Sequence, residues 1–292
     1  MATLHRLWHF AILTGRTSCD RNKKQLRMTW LQIIVLAVVQ GLTEFLPVSS
    51  SGHLILVPAL FGWADQGLAF DIAVHTGSLG AVCVFFRNDI TGLFHGAGDI
   101  IGGRPGTLQA RMAWSVGIGT IPAAVTGLLL ASWIAANLRS PLIVVATLAA
   151  YGLLMALADR FAPRDRDLSS IGVRDAVVIG MAQALALVPG TSRSGITITA
   201  GRLLGFRRQD AARFSFVLSA PVILLATIYE VVMLITGDVQ VAWDNLAAAA
   251  LISGIVAYLS IDLFMRFVSA LGLLPFAIYR LVLTGVILYV LY

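Results

Sequence analysis

The chain has 292 residues, of which 58% are hydrophobic and only 12% charged, with a net charge of +6. Soluble domains carry about a quarter charged residues, so a water-soluble globule is excluded, as is a disordered chain, which needs low hydrophobicity. Two cysteines, Cys19 and Cys83, exclude a disulfide scaffold, and unbroken apolar runs in place of alternating ten-residue segments exclude a membrane barrel. What remains is an all-α polytopic membrane protein.

Residues 1–27 carry Arg6, Arg16, Arg21, Lys23, Lys24 and Arg27 against Asp20 alone, a net +5. The remainder has 15 basic and 14 acidic side chains, so the basicity is local and does not make a nucleic-acid footprint. The short apolar patch at 7–13 has its positive flank behind it, the reverse of a secretory signal. This leader is read as dispensable, with the functional protein starting at Met28; the alternative is a basic segment lying on an anionic lipid surface.

A membrane span needs about 20 apolar residues. In chain order, the region 29–62 is apolar but broken, followed by spans near 69–87, 113–136 and 141–159. The region 173–205 is again broken, followed by spans near 211–235, 245–265 and 275–292. The first break reads Pro47-Val48-Ser49-Ser50-Ser51-Gly52, and the second Pro189-Gly190-Thr191-Ser192-Arg193-Ser194-Gly195. The run after each break holds about nine residues, roughly 14 Å of helix, which cannot cross about 30 Å of hydrocarbon. Each broken region is therefore predicted to be a re-entrant helical hairpin.

The two hairpins match at a shift of 143 residues. Gln40 meets Gln183, Ser49 meets Ser192, Ser51 meets Ser194, Gly52 meets Gly195, and Gly62 meets Gly205. The chain reads as two repeats, 28–159 and 160–292, each a hairpin plus three transmembrane helices. Arginines gather at 87–111, 160–174 and 202–213, with Arg266 beside the last loop, whereas 62–70 and 236–244 hold none and 137–140 only Arg139. The positive-inside rule puts the arginine-rich set in the cytoplasm. An odd number of spans per repeat then inverts the second repeat, and inverted repeats with broken helices place a site near the midplane. Both ends of the core fall outside, where a +5 leader would break the charge rule, in keeping with a start at Met28.

Irregular backbone at membrane depth must be buried or line a wet cavity. Around the first break stand Gln40 and Glu44, one helical turn apart, then three serines and His53. The second break adds Arg193 between two serines and two glycines. Glycine-rich turns opening a helix suit a phosphate, and arginine grips phosphate oxygens in two places. A serine beside a histidine can be an activated nucleophile. Glu44 is open to three roles: orienting the histidine, general acid or base, or ligating Mg²⁺ or Ca²⁺ together with Gln40. Taken singly, the serines read as helix caps and His53 equally well as a core histidine; joint occurrence in two related breaks is the specific signal. Elsewhere, His75 and Ser78 are candidates to line the cavity, Asp71 and Glu230 fall near the outer interface, Asp262 and Arg266 pair along a helix, and Arg280 reads as structural, near the cytoplasmic interface.

The stretches Gln40-Gly41-Leu42-Thr43-Glu44-Phe45-Leu46-Pro47-Val48-Ser49-Ser50-Ser51-Gly52-His53 and Pro189 to Gly195 resemble the undecaprenyl-diphosphate phosphatase family, the bacitracin-resistance phosphatases. Phe214-Ser215-Phe216 with Pro221, and Pro275-Phe276-Ala277-Ile278-Tyr279-Arg280, are also similar to that family, and the resemblance runs from about Met28 to the C-terminus. It implies a multi-pass enzyme of the bacterial inner membrane that removes the terminal phosphate of undecaprenyl diphosphate, recycling a lipid carrier for peptidoglycan. It also implies a divalent cation and a site facing the periplasm. Residue by residue, it implies Glu44 as acid/base or metal residue, Ser50 and His53 as the nucleophile region, and Arg193 as the phosphate clamp. Gln40 stands where many members carry glutamate, leaving one carboxylate for a metal.

The expected mechanism is phosphoryl transfer by positioning and charge stabilisation, with Ser50 attacking and His53 as base; the variant has His53 itself as nucleophile. Gln40, Ser49, Ser51, Gly190, Thr191, Ser192, Ser194 and Gly195 are expected to bind the diphosphate, and the polyprenyl tail to lie in lipid. A homodimer is left open. The rival reading is a polyprenyl-phosphate flippase or secondary transporter using the same inverted-repeat site.

Overall fold

The computed structural model describes residues 28–138, 140–236 and 243–291. The leader and Arg139 lie outside the described residues. Eleven α-helices follow one another, with no named strand among the described residues: α1 Trp30–Thr43, α2 Ser50–Phe61, α3 Leu68–Phe85, α4 Arg87–Ile101, α5 Leu108–Asn137, α6 Pro141–Phe161, α7 Val173–Leu185, α8 Arg193–Leu203, α9 Arg208–Thr236, α10 Trp243–Leu271 and α11 Leu274–Leu291. Helices α3, α5, α6, α9 and α10 are each long and apolar enough to cross a membrane. The sixth expected span corresponds to α11, whose 18 residues reach about 27 Å.

Capping explains the hairpin boundaries. Thr29 caps α1: its hydroxyl accepts from the Gln32 amide, and the Gln32 side chain accepts from the Thr29 amide at 2.8 Å. The chain then breaks, as the Pro-Ser and Pro-Gly clusters predict, between α1 and α2 and between α7 and α8. The returning helices have 12 and 11 residues, two or three more than expected. At roughly 17–18 Å they still fall well short of the hydrocarbon thickness.

The two breaks share a backbone. Ser49 and Ser192, 143 positions apart, are the non-glycine residues with positive φ among the described residues, at 76° and 69°. Side chains other than glycine rarely adopt that region, so its recurrence at matched positions is a specific likeness. The returning helices also stop alike, at Gly62 (φ 66°) and one residue before Gly205 (φ 88°), where only glycine is free of Cβ strain.

The hairpins pack crosswise. The entering helix α1 lies along α10 and the entering helix α7 along α5, while α6 packs on α11 and α3 on α9. The α3–α10 approach is close: a Cβ on Gly77 would sit 2.0 Å from the Ala250 carbonyl oxygen. A buried Ser78–Ser253 hydroxyl pair at 3.1 Å bridges the same helices, so Ser78 is a packing residue and not part of the site. Phe45, Phe86, Phe216 and Phe264 form the central aromatic core. Large apolar side chains such as Leu128, Leu129 and Ile235 remain more than 70% exposed, as expected of surfaces that face lipid.

One helix departs from expectation. Residues 87–101, assigned to a loop by their charge, form α4, which packs against the start of α5. The spans are also longer than the apolar runs: α5 begins at Leu108 and α10 ends at Leu271. At the arginine-rich end Asp159 accepts from Arg208 at 2.7 and 2.8 Å and from the Leu273 amide at 3.0 Å. Nearby, Arg166 forks onto Asp175 at 2.7 and 2.9 Å; in this loop the Asp175 carboxylate holds the Arg166 pKa above its ordinary value. Asp262 and Arg266 pair as the spacing predicts.

Candidate active site

The two breaks meet. Arg193, the first residue of α8, donates from Nη2 to Glu44 Oε1 at 2.8 Å, and the Ser194 hydroxyl donates to the Leu46 carbonyl at 3.1 Å. Residues nearly 150 apart in sequence thus share one cluster. Glu44 and Arg193 are 8% and 13% exposed at the side chain. Removing either would leave a buried charge unpaired, typically a loss of about 3–5 kcal/mol. The Arg193 guanidinium also lies 5.6 Å from the Phe45 ring centroid, a cation–π contact that steadies it from below.

Glu44 is the hub. Its Oε2 accepts from the Gln40 amide at 3.0 Å and from the Ser50 hydroxyl at 2.8 Å. His75 of α3 brings Nε2 to 3.7 Å of the same oxygen, while its Nδ1 donates to the Asp71 carbonyl at 2.7 Å. Ser50 therefore presents its proton to Glu44. The expected Ser50–His53 pairing is replaced: His53 Nδ1 donates to the Ser49 carbonyl at 2.8 Å, and its Nε2 stands 2.6 Å from the Tyr279 hydroxyl.

The remaining residues of the breaks divide by what they hold. Ser192 accepts the Gly195 amide at 3.2 Å, capping α8, and Ser194 is tied to the first break, so both hydroxyls serve the turn. Ser49 is buried and offers its carbonyl to His53, with its hydroxyl 3.4 Å from that of Ser51. Ser51 is exposed and Ser50 half-buried, which marks the open side. Gly190 and Thr191 turn their carbonyls to Arg280, at 2.9 Å each. Arg280 also donates to the carbonyls of Thr147 and Leu148 and is fully buried; its contacts are structural, and they brace the second break. Glu230 is half-buried on α9.

Three buried side-chain atoms of the expected site lack a partner: Arg193 Nη1, Gln40 Oε1 and Thr191 Oγ1. Buried polar atoms are normally satisfied, so these three are free to meet a polar ligand. Arg193 has one arm of its fork engaged and one ready. For a divalent cation, the oxygen donors are Glu44 and the free Gln40 Oε1. One carboxylate and one amide could supply the one or two protein oxygens that Mg²⁺ takes alongside phosphate and water; among the described residues no group of three or more His, Cys, Asp or Glu offers a fuller cage.

His75, a candidate from the sequence, stands beside Glu44, whereas Tyr279 is a site neighbour that sequence reasoning does not single out. His75 follows Asp71 by one helical turn, and that spacing is the only signal it carries. Tyr279 lies in a recognisable motif but carries no charge to draw attention.

A family model described as bacitracin resistance protein BacA matches residues 33–287. The undecaprenyl-diphosphatase of Hahella chejuensis is 51% identical over 265 residues, covering 91% of this chain and 99% of the relative. Undecaprenyl-diphosphatase 2 of Stutzerimonas stutzeri is 50% identical over 264 residues, covering 89% and 98%. The undecaprenyl-diphosphatase of Chromohalobacter salexigens is 51% identical over 263 residues, covering 90% and 99%.

Proposed function

The chain belongs to the BacA family of bacitracin-resistance proteins, and from that premise we propose how its joined turns hydrolyse undecaprenyl diphosphate to undecaprenyl phosphate and inorganic phosphate. The observation that carries the mechanism is the buried Arg193 fork, one arm on Glu44 and the other unpartnered, beside a serine hydroxyl already donating to that carboxylate.

Arg193 Nη1 takes an oxygen of the terminal phosphate and draws it onto the open side of the first turn. The Ser50 oxygen attacks phosphorus as its proton passes to Glu44, and the bond from phosphorus to the bridging oxygen breaks. Undecaprenyl phosphate departs and a phosphoserine remains. His53, three residues on and on the same face of α2, accepts a proton from the water that attacks the phosphoserine, while Glu44 returns its proton to the departing Ser50 oxygen, which restores the hydroxyl. Glu44 and Gln40 would hold a Mg²⁺ ion, which when bound supplies charge neutralisation at the diphosphate oxygens. General acid–base help of this kind is worth about 10²–10⁴ in rate.

The same proposal takes 28–159 and 160–292 as inverted repeats, the site as opening to the periplasmic side of the inner membrane, and the polyprenyl tail as lying among lipid-facing helices. It is complete within one chain, so a homodimer adds no residue to it.

The test is phosphate release from undecaprenyl diphosphate by purified protein in detergent, where flippase activity gives no signal. We expect turnover that a chelator abolishes and Mg²⁺ restores, and a loss of at least 100-fold in His53→Ala with the fold intact. Near-normal turnover in that variant would overturn the assignment.

A further inference from the structure

The motif at 275–280 has no part in the chemistry above, yet α11 touches both breaks through consecutive residues. Arg280 grips the second break by the carbonyls of Gly190 and Thr191. Tyr279 reaches the first: its ring stacks on His53 with centroids 5.7 Å apart and planes 10° from parallel, and its hydroxyl lies 2.6 Å from Nε2. Side chains of adjacent helical residues diverge by about 100°, so one helix can hold two turns at once.

The hydrogen-bond partners fix the imidazole's form. The Ser49 carbonyl only accepts, which favours a proton on His53 Nδ1 without by itself excluding the other tautomer. In a neutral ring with that proton Nε2 is an acceptor, and its partner among the described residues is the Tyr279 hydroxyl, which then donates and completes the choice of tautomer. His53 itself is 8% exposed whereas Tyr279 is 44% exposed. The tyrosine is thus the more accessible member of the pair, and its hydroxyl covers the Nε2 lone pair.

We propose that Tyr279 is a positioning residue for His53, holding the imidazole as its Nδ1–H tautomer with the Nε2 lone pair aimed outward until water takes the place of the tyrosine hydroxyl. This rests on the reading of His53 as the base of the hydrolytic half. When water binds, its proton passes to Nε2, its oxygen bonds to phosphorus, the bond from phosphorus to the Ser50 oxygen breaks as Glu44 returns its proton to that oxygen, and the tyrosine hydroxyl neither gains nor loses a proton. Arg280, on the same helix, keeps the Arg193 turn in register with it.

Two measurements separate this proposal from the reading beneath it. The first is ¹⁵N NMR of the full-length protein labelled at its five histidines, with His53 assigned by loss of its signals in His53→Gln. The wild type should show one protonated and one acceptor nitrogen for His53, and Tyr279→Phe, which keeps the stack, should show mixed tautomers. The second is steady-state kinetics: Tyr279→Phe should lower kcat about tenfold, the scale of one neutral hydrogen bond, with KM within twofold. Tyr279→Leu, which also removes the stack, should lower kcat further. An unchanged tautomer pattern in Tyr279→Phe overturns the proposal, as does a shifted pattern with unchanged kcat. A raised KM at constant kcat also overturns it, since Tyr279 would then be a tail contact. If the wild type releases no phosphate, the hydrolytic reading fails while the tautomer result still stands.

Discussion

The two turns are built on one backbone and carry opposite chemistry. Ser49 and Ser192 share the same rare φ, and Gly52 and Gly195 occupy matched places. Yet Arg193 stands where the first turn has Ser50, Ile196 where it has His53, and Leu187 where it has Glu44. The first turn thus holds every proton-transferring group and the second holds one cation. A repeated scaffold can therefore supply two halves of a site without either half being reactive alone. The fixed charge of one turn is neutralised by the other across a 2.8 Å contact.

Breaking that contact should have the largest effect. Arg193→Ala removes the clamp and strands Glu44, so phosphate release should fall at least 10³-fold, and thermal stability should fall too, since the buried pair is broken from one side. Arg193→Lys should recover part of the stability but little of the rate, because an ammonium lacks the two-armed fork. A rate within tenfold of wild type for either variant would mean the second turn contributes only structure.

A smaller difference tests the packing behind the turns. A Cβ on Gly52 would meet the Ser49 hydroxyl at an ordinary 3.6 Å, whereas one on Gly195 would meet buried Arg280 Nη1 at 3.0 Å and the Ser192 hydroxyl at 3.1 Å. Gly52→Ala should be neutral or stabilise by up to about 1 kcal/mol through helix propensity. Gly195→Ala should destabilise by about 1–3 kcal/mol. Equal melting temperatures would refute the idea that the second turn is the more tightly braced.

The smallest effect concerns the strained serines. Ser49→Gly relieves a left-handed φ and loses no helix-cap bond, and should stabilise by about 1 kcal/mol. Ser192→Gly relieves the same φ but deletes the cap to the Gly195 amide, so its gain should be offset to near zero. Chemical denaturation of the two variants in detergent would show whether that order holds.

The two broken helical regions and the meeting of polar residues at them are legible in the sequence because they rest on short-range signals: Pro-Gly-Ser clusters, apolar run lengths, and polar residues where lipid forbids idle ones. What escaped depends on side-chain rotation and on neighbours far away in sequence. Ser50 and His53 are three apart, which puts them on one face, but spacing does not say that the serine turns back to Glu44 while the histidine turns to Tyr279. Helix α4 was missed because its charges resembled a loop, although it packs on α5. Arg280 was correctly set aside as structural, but its target, the carbonyls of residues 132 and more positions away along α6 and about 90 away in the second break, could only be seen in three dimensions.

Arg280 has a consequence for how the site is wetted. Exposed carbonyls at membrane depth would ordinarily need water to satisfy them, and here a guanidinium fixed in the protein does that work with four carbonyls in its reach. The second turn is in effect hydrated by a side chain that cannot diffuse. Its back wall is closed by a side chain that holds four backbone carbonyls at once. Arg280 is thus strut and fixed solvent in one residue, satisfying the second turn's backbone from within the protein.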